Sequence, residues 1–184
     1  SNNMLLTTRA FSPKEMLIKI LRAPLKKVST HNFACSKDAA IWLYGEEYWN
    51  EAKVKVLPNA IKTENFCFRN EVRKQYREQF ELKDAFVVGH VGRFDEIKNH
   101  SFLLNIFDEI TKKNENSRLL LVGDGILKEN IEKKARQLGI SEKIIFTGVR
   151  DDVPELMQAM DVFVFPSHFE GLGIVAVEAQ TSGV

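Results

Sequence analysis

The sequence predicts an α/β protein built on a doubly wound parallel sheet, incomplete at both ends. Three observations lead there. From Phe86 onward, apolar runs of four to six residues alternate with single amphipathic helical patterns. The runs are apolar throughout rather than at every second residue, as in strands covered on both faces. The glycine-containing motifs fall just after the runs, at the strand ends where such sheets bind ligands.

The elements follow in order. Residues 12–27 carry Met16, Leu17, Ile20 and Leu21 on one helical face and Lys14, Lys19 and Arg22 off it, a pattern interrupted by Pro24. Docking onto another domain is the favoured use of that face; rest on an anionic membrane is the alternative. The run from Asn32 to Ser36 is a short strand, and Ser36 caps a helix through Asp38, Ile41, Trp42 and Leu43, stopped by Gly45. A linker rich in Glu, Tyr and Trp leads to a second short strand, Val54 to Leu57, and a charged helix covers Asn70 to Phe80. Phe86 to Val91 is a buried strand. Asn99 opens a helix striped by Phe102, Leu103, Ile106, Phe107 and Ile110. Leu119 to Val122 is a strand, with Leu127, Ile131, Ala135 and Leu138 marking the next helix. Lys143 to Phe146 is a strand. Asp152 is an N-cap with Pro154 in the first turn and Leu156, Met157 and Met160 inward. Val162 to Phe165 is the last strand, and its helix ends at Gly183.

Composition narrows the function. A chain of 184 residues buries a proper core and amounts to one domain or one and a half. A formal net charge of +1 supplies no long-range field for nucleic acid, so any anion site is local. Cys35 and Cys67 fit no metal-ligand spacing and read as buried free thiols of a reducing cytoplasm. No apolar run approaches the roughly 18 residues of a membrane span, and no signal-peptide pattern is visible.

Four segments carry chemistry. Between Phe165 and Gln180, Glu170 and Glu178 stand eight residues apart around a glycine turn that opens an apolar helix. A helix start offers free N–H groups and a positive dipole end for a phosphate. Eight helical residues span about 12 Å, which suits hydroxyls at two places on a long polar ligand such as a sugar joined through phosphates to a ribose. In Gly89–His100, Gly92 admits a ligand close to the backbone, and Arg93 and Lys98 bring two cations to one helix mouth. Gly123-Asp124-Gly125 follows a strand, but Lys128 occupies the third glycine position of a dinucleotide fingerprint, which disfavours an oxidoreductase. Asp124 serves either the ligand or the cap of the following helix. The fourth is Phe146 to Val153, with Gly148 and Val149 at its turn.

These motifs, in this order, resemble retaining glycosyltransferases of the two-domain GT-B type, especially glycosyltransferase family 4 of the exopolysaccharide and capsule kind. The E-x7-E signature corresponds to Glu170 and Glu178, and the G-R-x4-K-N loop to Gly92, Arg93, Lys98 and Asn99, with flanking histidines. The V-G-D-G turn corresponds to Val122–Gly125 and the V-x-P-N-x-I crossover to Val56–Ile61. The resemblance implies a Rossmann-like donor domain over residues 54–184, truncated, and the end of an N-terminal acceptor domain with its crossover over residues 1–53. It implies that Arg93 and Lys98 hold the leaving diphosphate, and that Glu170 sits by the donor sugar while Glu178 contacts the ribose. The amides of Gly171, Leu172, Gly173 and Ile174 would face sugar and phosphates, Gly123, Asp124 and Gly125 would border the nucleotide, and Val149 would read the base edge.

The implied donor is a UDP- or GDP-linked sugar, and the acceptor a saccharide or a lipid-linked saccharide of bacterial surface polysaccharide synthesis. No cofactor and no metal are expected, since cations line the site and no Asp-x-Asp occurs. The expected location is cytoplasmic, with room for peripheral membrane association through the half the chain lacks. As a fragment it is expected to be inactive alone. A nucleotide-sugar epimerase of the same architecture and a non-catalytic sugar-nucleotide-binding module are the alternatives. His168 reads as an incidental loop histidine rather than an acid or base.

Overall fold

The structure, a computed structural model, describes residues 17, 20, 21, 24, 28–170 and 172–184. Most of the amphipathic segment at residues 12–27, and Gly171, lie outside the described residues. The chain divides into two compact units, Ser1–Asn59 and Ala60–Val184.

In the first unit, β1 (Phe33–Ala34) pairs in parallel with β2 (Lys55–Val56). Between them lie α1 (Lys37–Tyr44) and α2 (Glu46–Asn50). Ser36 caps α1, accepting the Ala39 N–H at 3.1 Å, and Gly45 closes it at φ 91°. The stretch read as a linker is therefore partly helical. Tyr48 and Trp49 pack from α2 against Ala40, Tyr44 and Val54, and this burial holds a short helix that its composition alone does not announce. Cys35 is half-buried and Cys67, at the start of the second unit, is exposed. The expectation of buried thiols is corrected, because neither residue sits on an inward face of a regular element.

The second unit runs α3 (Asn70–Gln79), β3 (Phe86–Val91), α4 (His100–Lys113), β4 (Ser117–Val122), α5 (Lys128–Leu138), β5 (Ile144–Gly148), α6 (Val153–Gln158), β6 (Val162–Phe163) and α7 (Ile174–Thr181). Its four strands are all parallel in the order β5-β4-β3-β6, so the winding direction reverses between β3 and β6. Val88, Leu119 and Leu121 pack with Leu103, Leu104, Phe107, Ile131 and Ala135 of α4 and α5. Their neighbours Val87, Leu120 and Val122 pack with Leu156, Met157, Met160 and Ala179 on the opposite face. This period of two, with apolar side chains on both faces, is the physical content of a doubly wound sheet.

Several boundaries move. In α4 the inward residues are His100, Leu103, Leu104 and Phe107, while Phe102 is exposed, so the helix is turned from the predicted stripe. The cause lies at its start, where His100 is drawn inward against Phe94, with ring centres 4.3 Å apart. The last strand ends at Phe163, with one further backbone bond from the Val164 N–H to Gly89 O, and the helix after it ends at Thr181. Asp152 does stand at the N-cap of α6, but no side-chain cap bond forms there. Its carboxylate instead accepts from Arg150 at 2.8 and 2.6 Å and from the Tyr76 hydroxyl at 2.8 Å. Asp124 turns back onto the Gly125 N–H at 2.7 Å, and Leu127 rather than Asp124 precedes the first turn of α5.

The amino end of the sheet is pinned through one carboxylate. Asp161 accepts from the Val87 N–H at 2.7 Å, from Arg73 at 2.5 Å and from Arg77 at 3.2 Å. Both arginines come from α3, which is thereby tied to β3 and β6. The carboxyl end is left open for the site.

Candidate active site at the strand switch

The crevice forms where β3 and β6 part. Beyond β3 the chain turns at Gly92 and passes through Arg93 and Lys98 into α4. Beyond β6 it runs on without regular structure, bends at His168, and passes Glu170 before α7. Two glycines make the first turn possible. Gly123 (φ 132°) and Gly125 lie against the backbone of Gly92 and Phe94, where a Cβ on Gly125 would fall 2.8 Å from the Phe94 nitrogen. Backbone bonds fill the contact: Gly92 N–H donates to Val122 O at 3.0 Å and Phe94 N–H to Asp124 O at 2.9 Å. The Gly123–Gly125 turn therefore shapes the loop bearing Arg93.

The two limbs are stitched together at every second residue of the β6 extension. Val164 O faces the His90 Nδ1 at 2.8 Å, and Pro166 O accepts from the Asn99 amide at 3.3 Å. The His168 N–H donates to Ile97 O at 2.9 Å, and the Glu170 carboxylate takes the Lys98 ammonium at 2.6 Å.

Lys98 is held on three sides. Its stem lies along Gly92, its ammonium stands 5.4 Å from the Phe165 ring centre, and Glu170 neutralises it. Burial alone would push the Glu170 carboxyl up. The Lys98 ammonium outweighs it and holds the group below the usual range. Arg93 is mostly exposed and donates through Nε to Asp95 at 2.8 Å, while Asp95 also accepts the Lys98 N–H at 3.1 Å. For Asp95 too, burial opposes ionisation, and these two donors overcome it.

Gly92, Arg93, Lys98, Ile174 and Glu178 line one cavity of about 490 Å³. The mouth of α7 opens there. Gly173 (φ 63°) precedes it, and no side chain caps its first turn, so the helix end offers unclaimed N–H groups to an anion. Glu178 is half-buried, and burial pushes its carboxyl up. The structure thus brings Gly92, Arg93, Lys98, Glu170, Ile174 and Glu178 together. Gly123, Asp124, Gly125 and Val149 sit at the ends of β4 and β5 and do not line that cavity; Val149 and Leu172 are exposed. Asp95 and Phe165 were not singled out from sequence, and His90 entered there only as a histidine flanking the loop motif. The Asp-x-x-Lys spacing of Asp95 and Lys98, suited to a local turn, was the available signal.

A model of the family described as glycosyl transferases group 1 matches residues 72–184. The chain is 38% identical over 152 residues to the putative glycosyltransferase EpsF of Bacillus subtilis (strain 168), covering 82% of this chain and 40% of that protein. It is 34% identical over 179 residues to the Vi polysaccharide biosynthesis protein VipC/TviE of Salmonella typhi, covering 96% and 31%. Its fold is similar to that of Anabaena HepE in complex with UDP and glucose, with a TM-score of 0.79, 23% identity, and coverage of 94% of this chain and 48% of that one. The chain spans 40% or less of the length of these two curated relatives. With a family match over most of its larger unit and a parallel sheet whose winding reverses between β3 and β6, the chain belongs to the glycosyl transferases group 1 family.

Proposed function

We propose that this chain supplies the donor-binding part of a retaining glycosyltransferase. The enzyme moves a sugar from a UDP- or GDP-linked donor to a saccharide or lipid-linked acceptor in surface polysaccharide synthesis. The observation that carries the reading is the shared cavity of Arg93, Lys98, Glu178 and the uncapped start of α7 at the strand switch point. Two cations and a helix N-terminus at one place suit a diphosphate. Relatives point the same way: one matching protein is named a UDP-Gal:alpha-D-GlcNAc-diphosphoundecaprenol alpha-1,3-galactosyltransferase.

In this reading the bond from the anomeric carbon to the diphosphate oxygen breaks, and a bond to the acceptor oxygen forms on the same face. The acceptor proton passes to the departing phosphate. Charge builds on that phosphate, and Arg93, Lys98 and the α7 amides stabilise it, which is electrostatic preorganisation. Glu170 holds Lys98 in place beside the sugar, and Glu178 accepts from the ribose hydroxyls. Residues 54–184 act as the donor half.

Among the described residues no helix is long and apolar enough to cross a membrane; in this reading the enzyme works at a membrane surface as a peripheral protein. The test is a titration of UDP, GDP and their sugars against the chain, followed by a transfer assay on the whole encoded polypeptide with product analysis. Saturable binding and acceptor-dependent product support the reading; absence of diphosphate binding sinks it, and acceptor-independent epimerisation replaces it.

A further inference from the structure

The row of bonds that closes the crevice has a buried root. His90 is fully buried, on the same sheet face as Val88, between the Phe163 ring at 6.0 Å and the His100 ring at 4.8 Å. The backbone pairing of β3 with β6 continues to the Val164 N–H, which donates to Gly89 O at 2.9 Å. The carbonyl of that same residue is met by an imidazole at 2.8 Å. A carbonyl only accepts, so Nδ1 carries the proton and Nε2 is left with a lone pair.

Nε2 has no hydrogen-bond partner among the described residues and lies beneath the other limb, 3.0 Å from where a Gly92 Cβ would stand. That Cβ would also meet the Lys98 stem at 3.3 Å. One rigid ring is therefore fixed to the limb that ends in Glu170 and underlies the limb that carries Lys98. A side chain in place of a backbone rung also lets the strands diverge at that point, and divergence is what makes a crevice rather than a continued sheet.

We propose that His90 is a positioning residue that sets the separation of the Lys98 and Glu170 limbs, and with it the affinity of the crevice for a donor diphosphate. The inference rests on the donor-binding reading given above. The charged and titratable groups facing the ring are Lys98, Glu170 and His100, and burial with a neighbouring ammonium keeps the ring neutral. An imidazole in this position acts through shape and one donated proton.

Three variants separate this role from simple packing. Asn places an amide nitrogen near the Nδ1 position and can still donate to Val164 O. Gln reaches the Nε2 position, and Leu fills space alone. Imidazole ¹⁵N spectra of the chain without ligand are expected to show a neutral Nδ1–H tautomer for His90.

In UDP titrations His90→Leu and His90→Gln are expected to weaken binding about tenfold, the loss of one ordinary hydrogen bond's worth of order. His90→Asn is expected to stay within about threefold of the parent. The decisive arm is the cycle with Lys98→Ala: if His90 acts through Lys98, adding His90→Leu to that variant costs little more. Unchanged UDP affinity in His90→Leu, full additivity with Lys98→Ala, or an Nε2–H tautomer overturns the proposal. Should the parent chain bind no diphosphate, the donor-binding reading fails instead, while the tautomer result still stands.

Discussion

Lys98 and Glu170 stand 72 positions apart in the chain and 2.6 Å apart in space. The pair is mostly buried, with side chains 20% and 25% exposed, so each charge depends on the other. An arriving diphosphate competes with Glu170 for the ammonium. Lys98→Ala should therefore lower turnover of the whole enzyme by about 10²–10³-fold and weaken UDP binding. Glu170→Ala should do the opposite to the product, tightening UDP while slowing transfer, because the cation is freed but no longer held beside the sugar. Calorimetric titration with initial-rate kinetics reads both; UDP affinity moving in the same direction in the two variants would contradict this account.

Arg93 acts under different conditions. Its side chain is 76% exposed and, among the described residues, is tied to Asp95. Removing it should leave stability within about 0.5 kcal/mol of the parent. Its attraction for phosphate passes through solvent and is screened by salt. Arg93→Ala should weaken UDP binding at low salt and converge on the parent at high salt, whereas the Lys98→Ala deficit should persist. Titrations at two ionic strengths check the contrast, and an Arg93→Ala deficit indifferent to salt would mean a dry contact not present here.

Glu178 lines the same cavity as the cations but on the helix, a turn beyond the uncapped amides. Burial raises its pKa, so an ionised Glu178 gains from any hydroxyl that donates to it. A ribose supplies such donors and inorganic pyrophosphate does not. Glu178→Ala should weaken nucleoside diphosphates by about 1.5–3 kcal/mol, the range for hydrogen bonds to charged groups, without weakening pyrophosphate. Parallel loss for both ligands would place Glu178 on the phosphates.

The alternation of apolar runs and helices was legible because both faces of β3 and β4 are covered, and burial on both faces leaves a pattern that polar substitution cannot hide. The Arg93, Lys98, Glu170 and Glu178 constellation was legible from motif order, since each falls just after a strand or on the helix that follows. What the sequence hid depends on contacts between distant positions. Asp152 reads as a cap, yet Tyr76 and Arg150 claim its carboxylate. The α4 stripe reads through Phe102, yet His100 turns inward because Phe94 and His90 lie beneath it. The α2 helix, five residues long, is held by packing of Tyr48 and Trp49 rather than by propensity.

Asp161 carries the opposite end of the sheet. It closes three bonds to Val87, Arg73 and Arg77, and Arg77 also donates to the Ala85 carbonyl. Asp161→Ala removes the carboxylate from two guanidinium groups, which keep their carbonyl acceptors, and leaves one strand N–H without its acceptor. Because the carboxylate is partly exposed, the cost should be about 1–3 kcal/mol rather than the larger figure of a fully buried ion. Urea unfolding measures it. Since the site lies at the far end of the strands, UDP affinity should change little in the folded fraction, and a large affinity loss would show that the two ends of the sheet are coupled.

The buried imidazoles make folding sensitive to mild acid. Burial is the main cause that lowers His90 to about 4 and His100 to about 3, with each ring's charged neighbours adding smaller effects. Both would titrate near 6.5 in the unfolded chain, so from there down to about 4 the unfolded state binds more protons. Stability must then fall as pH falls, by up to about 1.4 kcal/mol per pH unit for each such proton. Asp95, Asp152, Asp161 and Glu170 have depressed values, so what they contribute is lost only at lower pH, through and below the usual carboxylate range. Glu178 is raised and acts in the opposite sense just above that range. The interval from about pH 6.5 to 5.5 therefore isolates the histidines. Urea melts across it should show declining stability in the parent and a shallower decline in His90→Asn and in His100→Phe. A flat profile in the parent, or an unchanged slope in both variants, would mean that the two rings accept protons without unfolding.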